Sequence, residues 1–128
     1  VKSVAHELNA QEVSNVVWAA ANLQGQAPAV LGLVPLLTET IKSTVGAMQA
    51  QHVANILWAL AKWKWDERKL QEILPSLARR ATEVMDTLNG QNVANIIWAA
   101  GVLKKREPSL ASLVDVMPDL TEAAWLKL

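Results

Sequence analysis

The chain contains no cysteine, no tyrosine and no phenylalanine. Without cysteine there are no disulfides, no thiolate metal sites and no cysteine nucleophile. Net charge is absent too, since 12 Lys+Arg balance 12 Asp+Glu in 128 residues. A free-standing polyanion binder as a rule carries a basic excess. The two histidines, His6 and His52, stand apart from any nucleophile–base arrangement, and there is no HExxH and no phosphate-cradling glycine loop. The sequence therefore predicts no enzyme, no catalytic residue, no metal ligand and no cofactor. Long apolar runs are also missing. No charge falls between Glu12 and Glu39, but Asn15, Asn22, Gln24, Gly25, Gln26, Pro28 and Pro35 interrupt that stretch, so no membrane span is expected. The opening Val-Lys-Ser-Val-Ala-His is neither a signal nor a transit peptide. Only 19% of residues are charged and 52% are hydrophobic, which points to surface covered by something else.

What the chain has instead is six tryptophans, and three of them repeat. Trp18, Trp58 and Trp98 are 40 residues apart, as are Gln11, Gln51 and Gln91, and Asn15, Asn55 and Asn95. The strings QEVSNVVWAA, QHVANILWAL and QNVANIIWAA align without a gap, and the apolar register continues through Leu33, Ile73 and Leu113. A fixed period of this length marks a helical array. The expected organisation is the end of a preceding repeat over 1–8, then repeats at 9–48, 49–88 and 89–128. Together they form one continuous all-α solenoid of about three helix–turn–helix units. Neither end resembles the polar cap that stacked repeats need, which suggests a segment of a longer array or one covered by partners.

Each unit reads as two helices. The first runs from about 10 to 23 in the first unit, with Asn9 and Asn89 as N-caps and Glu12 at capping-box spacing. The second starts near Pro28 and Pro108, and in the middle unit after Asp66. Pro35 and Pro75 inside the second helix predict a kink or a split. On the first helix, Val13, Val16, Val17, Ala20 and Leu23 form the core face. Opposite lies a stripe of Gln11, Asn15, Trp18 and Asn22, repeated as Gln51, Asn55, Trp58 and Lys62 and as Gln91, Asn95, Trp98 and Val102. Two readings stand open for it. The amides and indoles could hydrogen-bond and stack on bases, or they could satisfy backbone groups and fill the grooves between units. Residues identical in every unit cannot discriminate bases. Selective contacts are therefore expected where units differ, at Glu12, His52 and Asn92 and at Asn22, Lys62 and Val102. Charge is uneven as well. The first unit holds three charged residues, the second eleven and the third eight. Lys62, Lys64, Arg68 and Lys69 surround Trp63 and Trp65 at one turn, and Lys104, Lys105 and Arg106 stand at the next. Basic groups beside aromatics suit phosphate and bases. Arg79 and Arg80 read as a solvated face or a protein contact.

The Asn-Ala-Gln-Glu-Val-Ser-Asn-Val-Val-Trp-Ala-Ala segment, and above all Gln91-Asn-Val-Ala-Asn-Ile-Ile-Trp-Ala-Ala, resembles the octotricopeptide class of helical repeats and the related helices of proteins with RAP or FAST-kinase-like domains. The likeness spans nearly the whole chain. It implies an organellar protein, chloroplast before mitochondrion, that binds or processes single-stranded RNA, with no DNA partner. Where the family's second helix carries Pro-Pro-Pro-Glu-Trp, this chain reads Ala27-Pro28-Ala29-Val30. Some family-like proteins are structural parts of large organellar assemblies. The alternative expectation is accordingly a scaffold docked on a ribosome or on a photosynthetic or respiratory complex, with protein partners along exposed apolar surface and at the ends.

Overall fold

The computed structural model describes residues 8–23, 32–63, 65 and 67–106. Among them are five α-helices and no strand: α1 (Ala10–Leu23), α2 (Val34–Thr44), α3 (Ala50–Lys62), α4 (Glu67–Glu83) and α5 (Gly90–Arg106). Short 3-10 turns at Val45–Ala47 and Met85–Thr87, one repeat apart, close α2 and α4. The chain is all-α, as the 3.6-residue periodicity predicts. Expectations that fall on Lys64, Asp66, Pro28, Pro108 or 107–128, and the assignment of 1–8 to a preceding repeat apart from Leu8, lie outside the described residues.

α1 occupies the span expected for the first helix. Its start is a reciprocal capping box. The Glu12 amide donates to Asn9 Oδ1 at 2.9 Å, and the Asn9 amide donates to Glu12 Oε1 at 3.0 Å. Each bond satisfies an amide that the first turn leaves without an intrahelical partner. Asn89 and Asn92 repeat the arrangement at α5, at 2.7 and 3.2 Å. At α3 the box is built from Gln49 and His52, with the Gln49 amide donating to His52 Nδ1 at 3.1 Å.

The split expected as one outcome does not occur at Pro75. α4 runs unbroken through Pro75. Pro75 is exposed, so the carbonyl one turn earlier that loses its amide partner lies on the solvent side, where water can replace the bond. Pro35 stands in the first turn of α2, where its missing amide costs nothing.

The helices lie in two layers. α1 packs on α3 and α3 on α5, while α2 packs on α4 behind them, and α1–α2 and α3–α4 join the layers. The core between the layers is aliphatic: Val13, Val17, Ile41, Ile56, Leu57, Leu70, Ile73, Leu74 and Leu77 are all at most 2% exposed. Burying such side chains is worth about 1.5–3 kcal/mol each. Met48 and Leu88, directly after the 3-10 turns, are fully buried and tie each connection down.

Candidate nucleic-acid interface

The face of α1, α3 and α5 that points away from the second layer carries the repeated stripe. Trp18 and Trp58 stack with ring centroids 6.3 Å apart and planes 19° from parallel. Trp58 and Trp98 follow at 6.4 Å and 37°. The result is a ladder of three indoles across three helices. It remains open to solvent, with Trp18 and Trp98 each 47% exposed and Trp58 half-buried between them. The amides flank it. Gln11, Gln51 and Gln91 are exposed, Asn15 is exposed, and Asn55 and Asn95 are half-buried. None of these six side chains is hydrogen-bonded within the described part of the chain. Of the two readings of the stripe, groove filling describes the indoles in part, since they stack on one another. Among the described residues the amides serve no backbone group between units.

One turn beyond each tryptophan the units diverge. The Asn22 side chain donates to its own helix at Trp18 O, 2.9 Å away. Lys62 lies over the Trp58 ring with Nζ 4.5 Å from the centroid, and donates to Asn22 Oδ1 at 3.4 Å. The cation is thus held on the ladder by a cation–π contact and a cross-helix amide. Val102 offers neither. Lys105, two helical turns after Trp98, extends the same stripe and is exposed.

Other candidates are placed elsewhere. Glu12, His52 and Asn92 differ between units, yet each fills one structural role, the third helical residue of a capping box. The three side chains supply equivalent acceptors there, a carboxylate, an imidazole and an amide. Desolvation lowers the His52 pKa below the ordinary histidine value, in keeping with an imidazole that accepts a backbone hydrogen bond. Arg106 is also committed to structure. It reaches back to α3, donating from Nη1 to Ala61 O and from Nη2 to Leu60 O, both at 3.1 Å. It thereby caps carbonyls that the end of α3 leaves over. Arg68 and Lys69 open α4 in the other layer, and Lys69 pairs with Glu72 at 3.8 Å. Lys104 is exposed beside Lys105.

The aromatic half of the Lys–Trp turn is corrected as well. Trp63 is fully buried and Trp65 is 2% exposed, packed edge-to-face at 5.2 Å. Core burial has taken their π faces, so they cannot serve as stacking surfaces. Arg80 is not simply solvated. Its Nε donates to Met48 O at 2.8 Å while Nη1 meets Glu83 Oε1 at 3.3 Å, which pins α4 to the chain entering α3.

No group of three or more His, Cys, Asp or Glu side chains that could hold a metal ion occurs among the described residues, and no described helix is long and apolar enough to cross a membrane. Compared with protein-family models, with curated proteins and with solved structures, the chain finds no match.

Proposed function

We propose that this chain is a non-catalytic segment of a helical-repeat solenoid that binds single-stranded RNA along the α1–α3–α5 face, within an organellar RNA-binding or RNA-processing factor. The observation that carries the reading is the tryptophan ladder, open to solvent and lined by amides that find no partner in the described chain. Base–aromatic stacking is worth about 1–3 kcal/mol per base and tolerates any sequence, which matches a ladder of identical rungs. Lys62 on the middle rung and Lys105 beyond the last supply phosphate contacts, joined by Lys104 at the helix edge. So few cations predict a shallow salt dependence, with a slope near −0.7 per phosphate neutralised on a single strand. The resemblance to octotricopeptide helices supports the same ligand and an organellar location.

The test is a titration of the chain with single-stranded oligoribonucleotides, followed by tryptophan fluorescence and by anisotropy. Binding should quench tryptophan emission, weaken on Lys62→Glu and again on Lys104→Glu with Lys105→Glu, and survive Arg106→Met. Absence of binding at low salt would overturn the reading. It would leave the scaffold alternative, for which the half-exposed Leu23 on α1 is the specific support.

A further inference from the structure

The connections that lead into α3 and α5 lie one repeat apart, and between them is a cavity of about 410 Å³. Arg80 of α4 lines it, together with Ala50 and Gln51 at the start of α3 and Asn89 and Asn92 at the start of α5. None of the described residues on its wall is acidic. The capping box of α5 decides what the two asparagines offer. Asn89 Oδ1 and Asn92 Oδ1 each accept a backbone amide, so the Nδ2 groups are what remain, and neither has a partner among the described residues. Asn92 is only 9% exposed, so its Nδ2 is a nearly buried donor turned to the cavity. Arg80 adds a positive charge. Its Nε and Nη1 are committed to Met48 O and Glu83, while Nη2 has no partner among the described residues. The first-turn amides of Ala50 and Gln51 find no acceptor within their own helix. The charge and the buried donor do not follow from the repeat. One unit earlier, Thr40 stands in place of Arg80 and donates to Leu36 O of its own helix, and His52 stands in place of Asn92.

We propose that this cavity binds a phosphate group. A guanidinium, two side-chain amide donors and open backbone amides, with no carboxylate on the wall, suit an oxyanion with several acceptor oxygens. A nearly buried donor left without an acceptor costs stability, and a phosphate oxygen at Asn92 Nδ2 removes that cost. The volume exceeds that of a bare phosphate ion and leaves room for an attached sugar. Glu83 tempers the site without lining it, because it holds Arg80 Nη1 at 3.3 Å. The same donors serve a phosphate from either of two sources. Gln51 both lines the cavity and begins the middle stripe, so a strand lying on that stripe brings a backbone phosphate to the mouth of the cavity. A free phosphate group meets the same atoms. The site stands independently of the RNA reading of the ladder.

The test is a titration of the whole chain with inorganic phosphate at constant ionic strength, followed by amide proton–nitrogen NMR spectra. Saturable shifts should appear at the Gln51 amide and at the side-chain amides of Asn89 and Asn92. Asn92→Glu rebuilds at α5 the Asn–Glu box of α1, so it keeps the helix start while a carboxylate replaces the donor. Phosphate affinity should then fall by about tenfold or more, the worth of one hydrogen bond to a charged group. Glu83→Gln keeps an acceptor for Arg80 Nη1 but removes the negative charge, and should tighten phosphate binding. An oligoribonucleotide arm separates the sources. RNA that shifts the same resonances, and weakens with phosphate in Asn92→Glu, puts a strand's phosphate in the site. RNA affinity unchanged in that variant, with phosphate affinity lost, gives the site to a free phosphate group. Phosphate that shifts none of these resonances, or that binds wild type and Asn92→Glu equally, would overturn the proposal and leave the RNA reading of the ladder untouched.

Discussion

Trp58 stacks on Trp18 across 40 residues of sequence, with centroids 6.3 Å apart and planes nearly parallel. Trp58 also meets Trp98 and carries Lys62 on its face, so among the described residues it is the rung with most partners. Aromatic pairs contribute about 0.5–1.5 kcal/mol each beyond area burial. Trp58→Ala should therefore lower stability by about 2–3 kcal/mol in urea unfolding, and Trp18→Ala, with one ring neighbour among the described residues, by about half as much. Trp58→Phe should recover most of the loss. Equal costs at the two positions would mean that the rings touch without coupling.

Arg106 offers a separation of structure from binding. Hydrogen bonds from a charged donor are worth about 1.5–3 kcal/mol, and Arg106 makes two to the end of α3. Arg106→Met should cost about 2 kcal/mol in unfolding free energy. Lys should rescue only part of this, because one ammonium cannot reproduce the fork. RNA affinity of the folded variant should stay near wild type, unlike that of the Lys104→Glu, Lys105→Glu pair. A variant that unfolds normally but loses RNA would return Arg106 to the interface.

How far these roles can be read from sequence depends on their range. The span of α1, its Asn9–Glu12 box and the stripe through Trp18 are local, set by helical spacing, and all are readable there. The stacking of the stripe into a ladder follows from the period, because equal registers on adjacent helices face each other. Arg106 is different. Its partners are carbonyls 45 and 46 residues away, and in sequence it is the third of three basic residues. Trp63 and Trp65 mislead for the same reason. Their neighbours are charged, so the turn reads as solvated, while the indoles fold inward. Pro75 misleads in the opposite sense, because an exposed proline can leave one carbonyl to water without ending a helix.

The capping box of α3 makes stability pH-dependent at one position. The His52 pKa is lowered in the folded chain by desolvation, and its Nδ1 accepts from the Gln49 amide. The unfolded chain therefore takes up the proton first as pH falls. The contribution of His52 is complete above the ordinary histidine value of about 6.5 and is lost as pH drops through the lower folded value. Melting temperatures compared at neutral pH and at about pH 5 should show a decrease in the wild type. The decrease should be smaller in His52→Asn, which copies the acceptor of the third unit. An identical decrease in both proteins would place the titration elsewhere.

Ser14 gives the sharpest comparison between units. Its hydroxyl is buried and without a partner, and the residue is 1% exposed on the α1 side that meets α3. A buried polar group left unbonded costs about 1–3 kcal/mol. Ala54 and Ala94 hold the same register position with no polar atom to satisfy. Ser14→Ala deletes the unpaired oxygen at the cost of a very small void, and alanine is also the better helix former. The substitution should raise the unfolding free energy by about 1 kcal/mol, read as a higher denaturation midpoint at unchanged slope. A destabilised variant would show that the oxygen has a partner, and that α1 and α3 meet around a bonded hydroxyl rather than a dry contact of small side chains.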